Sequence, residues 1–258
     1  MAERLYTELT SSLGIDYRIR IYDDSYGGSS IEVTCDDFEL SYEPSNDNLL
    51  CPIISSKLKF GIYDDGTSGV DTAIASIENS DEKNIKVTLE RDTGSGYALE
   101  WAGLMRKDMI WRNNEPGPTL VTFTATDGMD LLKDVRYPGI ASGTHTGSSQ
   151  IAQFIVEMLG ELDLDGFWGA GEPYLRESIE WIEDSVTSPA ADSPLLNTRC
   201  DVLKFRDDPK SLETTNKTCY ECLEGIMTLF GAQLLLSNGA YYIRQPRNYD
   251  STSHSESR

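Results

Sequence analysis

The first half of the chain alternates apolar and polar residues with a period of two, and this pattern constrains the fold more than any other feature. In residues 17–21 the apolar side chains alternate with Arg18 and Arg20. A period of two places one set of side chains in a core and the other in water, as a β-strand does. The same alternation recurs at 31–35, 38–42, 54–62, 85–89, 97–101 and 121–125.

Turn residues separate these strand-like segments. Gly27-Gly28, Asp65-Gly66 and Gly94-Ser95-Gly96 each lie between two alternating runs, and such residues favour tight turns. Many short strands with regular turns are typical of an antiparallel barrel or sandwich. We therefore predict an antiparallel β-barrel or sandwich domain over residues 14–126, preceded by an N-terminal arm at residues 1–13.

The period of the pattern then changes to that of helices. Asp127 is predicted to cap a short helix, Ser149 a second and Thr218 a fourth, while Pro173 suits the first turn of a third. The residues predicted to face inward are Met129, Leu132 and Val135 in the first, Ile151, Phe154, Ile155, Met158 and Leu159 in the second, Leu175, Ile179 and Ile182 in the third, and Cys222, Ile226, Met227 and Phe230 in the fourth. Gly231 is expected to end the fourth helix in the left-handed conformation.

A β-hairpin is predicted near the end of the chain. Two apolar segments, 234–236 and 241–243, flank Asn238-Gly239, which is a strong signal for a two-residue hairpin turn. We predict an α/β region over residues 127–246, with helices and this C-terminal hairpin, followed by a polar tail at 247–258. The fold class is therefore α+β, mainly β.

The charge of the chain restricts its partners. It carries 43 Asp and Glu against 22 Lys and Arg, a net charge of −21. Such a surface repels phosphate, so we expect no sequence-specific binding of nucleic acid. No apolar run approaches the roughly 20 residues of a membrane helix, and residues 1–13 lack the apolar region of a secretory signal. We therefore expect no membrane anchor.

Side chains that could carry catalysis are scarce. The two histidines, His145 and His254, fall in a predicted glycine- and serine-rich loop and in the polar tail. The sequence therefore offers few histidines that could act as a general acid or base. Cys219 and Cys222 have CxxC spacing, but no second cysteine pair suitable for zinc accompanies them. Cys222 falls on the apolar face of the fourth helix, which favours a core cysteine. We predict no enzyme activity, no catalytic residue, no metal and no cofactor.

Paired carboxylates are frequent. The pairs are Asp23-Asp24, Asp36-Asp37, Asp64-Asp65 and Asp207-Asp208. Such pairs could bind calcium or serve a glycosidase, but each lies at a predicted strand end or turn, where aspartate is common for backbone reasons. We therefore interpret them as structural.

The order of the elements resembles a known family. The segments that carry the resemblance are 17–21, 38–42, 101–105 reading on into 108–111, 123–132 and 241–246. In 123–132 a strand leads directly into a short helix through the sequence Ala-Thr-Asp-Gly-Met-Asp-Leu-Leu at 125–132. Over residues 15–246 the chain resembles the central hub proteins of bacteriophage tails and baseplates, in which a β-barrel strand ends in a similar step.

The resemblance implies a structural role in a virion. Hub proteins of this family form a ring, usually a trimer, at the distal end of the tail tube, and they link the tube to the baseplate or fibre apparatus. DNA would pass through the lumen, and acidic walls would keep it from adhering. The implied partners are further copies of the chain and the tail tube, baseplate or fibre proteins. The implied location is the virion tail, after synthesis in the host cytoplasm.

Two other functions stay open at this stage. One is a distal tail ring or fibre adaptor, and the other is a particle-borne carbohydrate-binding β-domain that uses exposed aromatics such as Trp111, Trp168 or Trp181. Phe167 and Trp168 lie in a glycine-rich segment, 165–171, where aromatics are hard to bury locally. Because such side chains often pack on a neighbouring subunit, we predict that Phe167 and Trp168 lie in a subunit interface.

Overall fold

The computed structural model describes residues 1–44, 50–66, 68–112, 118–138, 148–167, 175–179, 193–206 and 216–246. Its strands are β1 (Ala2–Thr10), β2 (Asp16–Asp23), β3 (Ile31–Glu32), β4 (Cys35–Pro44), β5 (Ile53–Asp64), β6 (Ile85–Asp92), β7 (Tyr97–Met105), β8 (Trp111–Arg112), β9 (Thr119–Thr126), β10 (Ser148–Gln150), β11 (Leu175–Ser178), β12 (Arg199–Asp201), β13 (Gln233–Ser237) and β14 (Ala240–Arg244). Its α-helices are α1 (Ser68–Asn79), α2 (Ile151–Gly160), α3 (Pro194–Asn197) and α4 (Cys219–Phe230). Short 3-10 turns include Lys107–Met109, Met129–Lys133 and Asp165–Phe167.

Most of the strands join one large mixed sheet. Its order is β11-β14-β13-β5-β9-β7-β6-β2-β1-β3, with β4 paired to β5 and β8 to β9. The pairings of the first half are antiparallel except for β1 with β3, and β13 joins β5 in parallel. The predicted α+β fold with a predominance of β-structure and a late hairpin is confirmed.

The sheet curls without closing. The short segment after β3 contacts both β1 and β5, because Val33 N donates to Tyr6 O of β1 and Tyr63 N of β5 donates to Thr34 O, both at 2.9 Å. Among the described strands no pairing joins β4 to β1. The first region is therefore an open, curled sheet rather than the closed form of the predicted barrel.

Two segments in the first region differ from the sequence interpretation. The predicted N-terminal arm forms β1, which pairs with β2 along nearly its whole length. Residues 68–79, to which the sequence analysis assigned no element, form α1, with Val70, Ala73, Ile74 and Ile77 buried. These four residues have the i, i+3, i+4, i+7 spacing of an amphipathic helix.

Three of the predicted elements in the second region are confirmed. All five residues predicted for the inner face of the second helix are buried in α2, although Gln150 rather than Ser149 precedes its first turn. Thr218 and Glu221 form a reciprocal capping box at the start of α4, and Gly231 ends it in the left-handed conformation. The hairpin β13–β14 turns at Asn238 and Gly239.

The prediction of a third helix beginning at Pro173 is wrong for the part that the structure describes. Leu175–Ser178 form strand β11, which pairs in parallel with β14. The edge of β14 offers backbone hydrogen bonds over four residues, and this tertiary pairing overrides a weak helical pattern. Pro173 and Ile182 lie outside the described residues.

The regions before and after residue 126 share one core. A single cluster of buried side chains includes Leu58 and Phe123 from the first region and Phe154 and Leu234 from the second. The hairpin turn also docks on β7, where Gly239 N donates to Glu100 O at 2.8 Å. The change at 126 is therefore a change of secondary structure over a continuous core.

Candidate functional site: a buried joint and an exposed aromatic face

The step from β9 into the following 3-10 turn is built around a buried carboxylate. Asp127 is 1% exposed. Its Oδ2 accepts from Ser56 N at 2.6 Å and from Ser56 Oγ at 2.8 Å, and its Oδ1 accepts from Met129 N at 3.1 Å. Trp101 Nε1 in turn donates to Ser56 Oγ at 2.8 Å. We call this arrangement of Asp127, Ser56, Trp101 and Met129 the joint. It connects β5, β7 and β9 to the start of the second region.

Burial and hydrogen bonding act in opposite directions on Asp127. Removal from water favours the neutral acid, whereas the bonds from Met129 and Ser56 favour the anion. Burial is the larger effect and raises the pKa of Asp127 from 3.8 to about 6. The joint therefore holds a buried carboxyl group that takes up a proton at a higher pH than an ordinary aspartate does.

A different surface exposes aromatic side chains. Trp111 of β8 is opposite Thr122 of β9, and Thr122 is opposite Gly61 of β5. Residues opposite one another in a sheet share a face, so these three residues form a row across the outer face. Trp111 is 60% exposed and Tyr63, two residues along β5 from Gly61, is 41% exposed. We call the surface formed by Gly61, Tyr63, Trp111, Leu120 and Thr122 the Trp111 face.

The neighbour of Trp111 fixes its strand from the inner side. Arg112 Nη2 donates to the buried carboxylate of Asp64 in β5 and, at 2.7 Å, to Asp71 in α1. Since Arg112 and Trp111 are adjacent in a strand, they lie on opposite faces. The ion pairs on the opposite face of β8 therefore hold Trp111 outward.

A shallow cleft of about 270 Å³ is lined by Thr122, the residue opposite Trp111 in the sheet, although Trp111 itself does not line it. The sheet lines it with Gly61, Leu120 and Thr122, and with Lys59, which precedes Gly61 by two residues in β5. The other wall is an irregular part of β4 in which Asp36 and Asp37 fall at a break in register. The cleft is also lined by Phe38, Glu39 and Phe60.

The floor of the cleft depends on the missing side chain of Gly61. A Cβ atom there would lie 2.9 Å from Leu120 Cδ1, closer than side-chain atoms pack. Tyr63 marks the end of the cleft, since its hydroxyl donates to Asp36 Oδ1 at 3.1 Å. The cleft therefore combines an apolar floor, an aromatic border and a wall of carboxylates.

The residues predicted for a subunit interface are only partly described. Phe167 is half-buried and packs on Tyr22, with 5.0 Å between ring centroids. Trp168 lies outside the described residues, as do Trp181, His145 and His254. The assignment of Phe167 and Trp168 to an interface stays a prediction.

The described acidic pairs have structural partners. Asp23 binds Arg4 at 2.7 Å, and its oxygens accept from Ser25. Although burial favours the neutral acid, these hydrogen bonds hold the pKa of Asp23 below its usual value. Asp24 pairs with Lys86 at 3.2 Å. Asp207-Asp208 fall outside the described residues.

The cysteines of the CxxC spacing are core residues. Cys219 and Cys222 are buried in the first turns of α4, and neither forms a disulfide bond. Burial raises the pKa of Cys219 to about 12, which suppresses the reactive thiolate. The interpretation of Cys222 as a core cysteine is confirmed.

The described residues contain neither a cluster of metal ligands nor a membrane-spanning helix. In the ranges that the structure describes, no group of three or more His, Cys, Asp or Glu side chains could hold a metal ion. No helix within those ranges is long and apolar enough to cross a membrane.

Comparison with known proteins gives weak structural likenesses. No protein-family model and no curated protein matches the chain. Among solved structures, it is similar to the 43 kDa tail protein of prophage MuSo2 from Shewanella oneidensis, with 10% identity and a TM-score of 0.39 over 74% of this chain and 47% of that one. It is also similar to a tail protein from Neisseria meningitidis MC58, with 10% identity and a TM-score of 0.41 over 80% of this chain and 50% of that one.

The chain spans about half the length of these two solved structures. Both are described as tail proteins, but at this identity and TM-score the likeness assigns neither a family nor a function to this chain.

Proposed function

We propose that this chain is a structural protein of a bacteriophage tail, which acts by assembly rather than by catalysis. The observation that carries the proposal is the joint at Asp127, because the hub-like step in the sequence is built there. Ala125 is buried in the sheet, Asp127 ties the strand to Ser56, Gly128 adopts a φ of 81°, and Met129 and Leu132 are buried. A left-handed φ at Gly128 favours glycine, which has no Cβ to strain in that conformation. Each residue type in the step therefore has a physical reason.

More specifically, we propose that the chain is a tail hub, which is a ring, usually of three copies, at the distal end of the tail tube. It would join the tube to the baseplate or fibre apparatus and let DNA pass. The net charge of −21 supports this role, since an acidic lumen would repel DNA during its passage. The proposed partners are further copies of the chain and neighbouring tail proteins.

The surface of the sheet supports an assembly role. Over β1, β2 and β6 the outer face carries a chain of ion pairs, in which Arg18 binds Glu8 and Glu90, and Arg20 binds Glu3 and Glu90. The Trp111 face instead exposes aromatic and small side chains. Protein interfaces are rich in aromatic residues and poor in charge at their centre, so the Trp111 face is the better candidate for contact with another protein.

The experiment that tests the ring is the mass of the purified protein in solution, measured by light scattering at low salt and at about 0.2 M salt. Copies that each carry a charge of −21 repel one another, and salt screens this repulsion. We expect a closed trimer whose fraction rises with salt. A protein that stays monomeric at both salt concentrations over a wide range of protein concentration would contradict the ring.

The same measurement tests the predicted subunit interface. If Phe167 and Trp168 pack against a neighbouring copy, Trp168→Ala lowers the trimer fraction. An unchanged trimer fraction would remove these residues from the interface.

A second function is favoured by the exposure of Trp111. A flat aromatic ring on a sheet surface, beside carboxylates, could stack on a sugar, as expected for a carbohydrate-binding domain on the particle. A glycan array with the purified protein distinguishes this function: saccharide binding that is lost in Trp111→Ser would favour it over a purely structural role.

A further inference from the structure

The Trp111 face is apolar at its centre and acidic along one side. Exposed apolar side chains near its row are Tyr63, Met109 and Trp111, at 41%, 44% and 60% exposure. Exposed aromatic groups that cluster on one face commonly mark a contact site. Since Arg112 fixes the strand that carries Trp111, the ring is presented on a rigid element, as tight recognition requires.

The shape of the cleft fits a single long side chain. The Leu120 side chain packs on the bare backbone of Gly61, so these two residues form the floor of the cleft, and Thr122 lines it beside them. An aliphatic stem could lie over Gly61 and Leu120 while its end reaches the β4 wall. The small volume, about 270 Å³, suits one side chain rather than a folded element.

The charge of the cleft selects the kind of side chain. Asp36, Asp37 and Glu39 supply three carboxylates along the β4 wall, against the one ammonium group of Lys59. A guanidinium or ammonium group would find carboxylates for charge-assisted hydrogen bonds and Trp111 for a cation–π contact. A second copy of this chain is a poorer occupant, since copies with a charge of −21 repel one another.

We propose that the cleft beside Trp111 is a docking site for a basic segment of a different protein, which inserts an arginine or lysine side chain over Gly61 against the carboxylates of β4. The inference rests on the proposed assembly function and deepens it, because it states the chemistry of one neighbour.

The test uses the full chain and short capped peptides with one central arginine, lysine or citrulline. Citrulline matches the shape of arginine without its charge. Fluorine NMR of protein labelled with fluorotryptophan reports on Trp111, whose signal is assigned by its loss in Trp111→Phe. We expect the Trp111 signal to shift with the arginine peptide, and citrulline to bind at least about tenfold more weakly because it lacks the ionic hydrogen bonds.

Matched variants separate the cleft from the general acidity of the protein. Asp37→Asn with Glu39→Gln removes two charges from the cleft, and Asp81→Asn with Asp134→Asn removes two exposed charges elsewhere. We expect the first pair to weaken the arginine peptide about tenfold or more and the second pair to leave it within about twofold. Gly61→Val retains every charge but displaces Leu120 from the floor of the cleft, and it is also expected to abolish the shift.

Several results would overturn the proposal. Equal binding of the arginine and citrulline peptides, equal effects of the two charge variants, or no shift of the Trp111 signal at millimolar peptide would each do so. If Trp111→Ser converts a trimer to a monomer, the face is a contact between copies and the proposal is wrong. A trimer without peptide binding refutes only the docking site, whereas peptide binding by a strict monomer refutes only the ring.

Discussion

Replacement of Asp127 by asparagine should change how the stability of the protein depends on pH. The carboxyl group has a pKa of about 6 in the folded protein and an ordinary value of 3.8. A difference of about 2 pKa units corresponds to about 3 kcal/mol. Because the folded pKa is raised, the folded state binds the proton more tightly, and stability falls as the pH rises from about 4 to about 6. Asparagine does not titrate, so this loss disappears in the variant.

Only part of this change in the free energy of unfolding falls within the pH range in which the protein can be measured. The isoelectric point is about 4.3, so the protein has little net charge near pH 4 and is best studied above pH 5. Between pH 5 and 7.5 the two pKa values predict that wild type loses about 1.4 kcal/mol from this group. The other titrating groups are common to both proteins and cancel in the difference.

The assay is equilibrium unfolding in urea followed by tryptophan fluorescence at several pH values. Trp101 donates to Ser56, which donates to Asp127, so a reporter lies within the joint. We expect the free energy of unfolding of wild type to decrease relative to Asp127→Asn by about 1.4 kcal/mol from pH 5 to 7.5. Parallel curves would show that the hydrogen bonds outweigh burial and that the reasoning on Asp127 is wrong.

Four further predictions test the packing. Gly103→Ala should destabilise the protein by about 3 kcal/mol, because its Cβ would lie 2.3 Å from a backbone oxygen and from the ring of a buried tryptophan. Gly225→Ala, where the added Cβ meets nothing, should instead stabilise α4 by about 0.5–1 kcal/mol. Thermal unfolding that gives the two variants the same change in stability would contradict this. Arg112→Gln should cost about 3 kcal/mol in urea unfolding, because it leaves the carboxylate of Asp64 buried without its cation; a loss no larger than that of an exposed ion pair would disprove the role of Arg112 as an anchor. Cys219 should resist alkylation in the native protein at pH 8 and react on unfolding. Rapid alkylation of the native protein, detected by mass spectrometry, would refute the burial of this thiol.

The site was less predictable than the fold. Sequence reasoning named Trp111 as an aromatic that could be exposed, and the structure places it on the sheet surface. It did not identify Gly61, Leu120 or Arg112. An isolated glycine within an apolar strand signals close packing or a bulge, so Gly61 carried a usable signal. Arg112 carried none, because its partners, Asp64 and Asp71, are distant in sequence.

The sequence by itself determined the elements that depend on local physics. Alternation with a period of two fixes a strand wherever one face is buried, and it located β2, β5, β6 and β9. Thr218 and Gly231 bound α4 through hydrogen bonds and backbone angles within a few residues of each helix end. Asn238-Gly239 set the hairpin for the same reason.

Only the tertiary structure decided how these elements combine. Leu175–Ser178 form a strand because β14 offers them an unpaired edge. The N-terminal segment joins the sheet because it pairs with the edge of β2. The pairing of β4 with β5, with its break in register, places Asp36 and Asp37 beside Gly61. Contacts of this kind join residues far apart in the chain, and their energies depend on burial and register that no local pattern records. The cleft beside Trp111 is therefore a property of the folded protein.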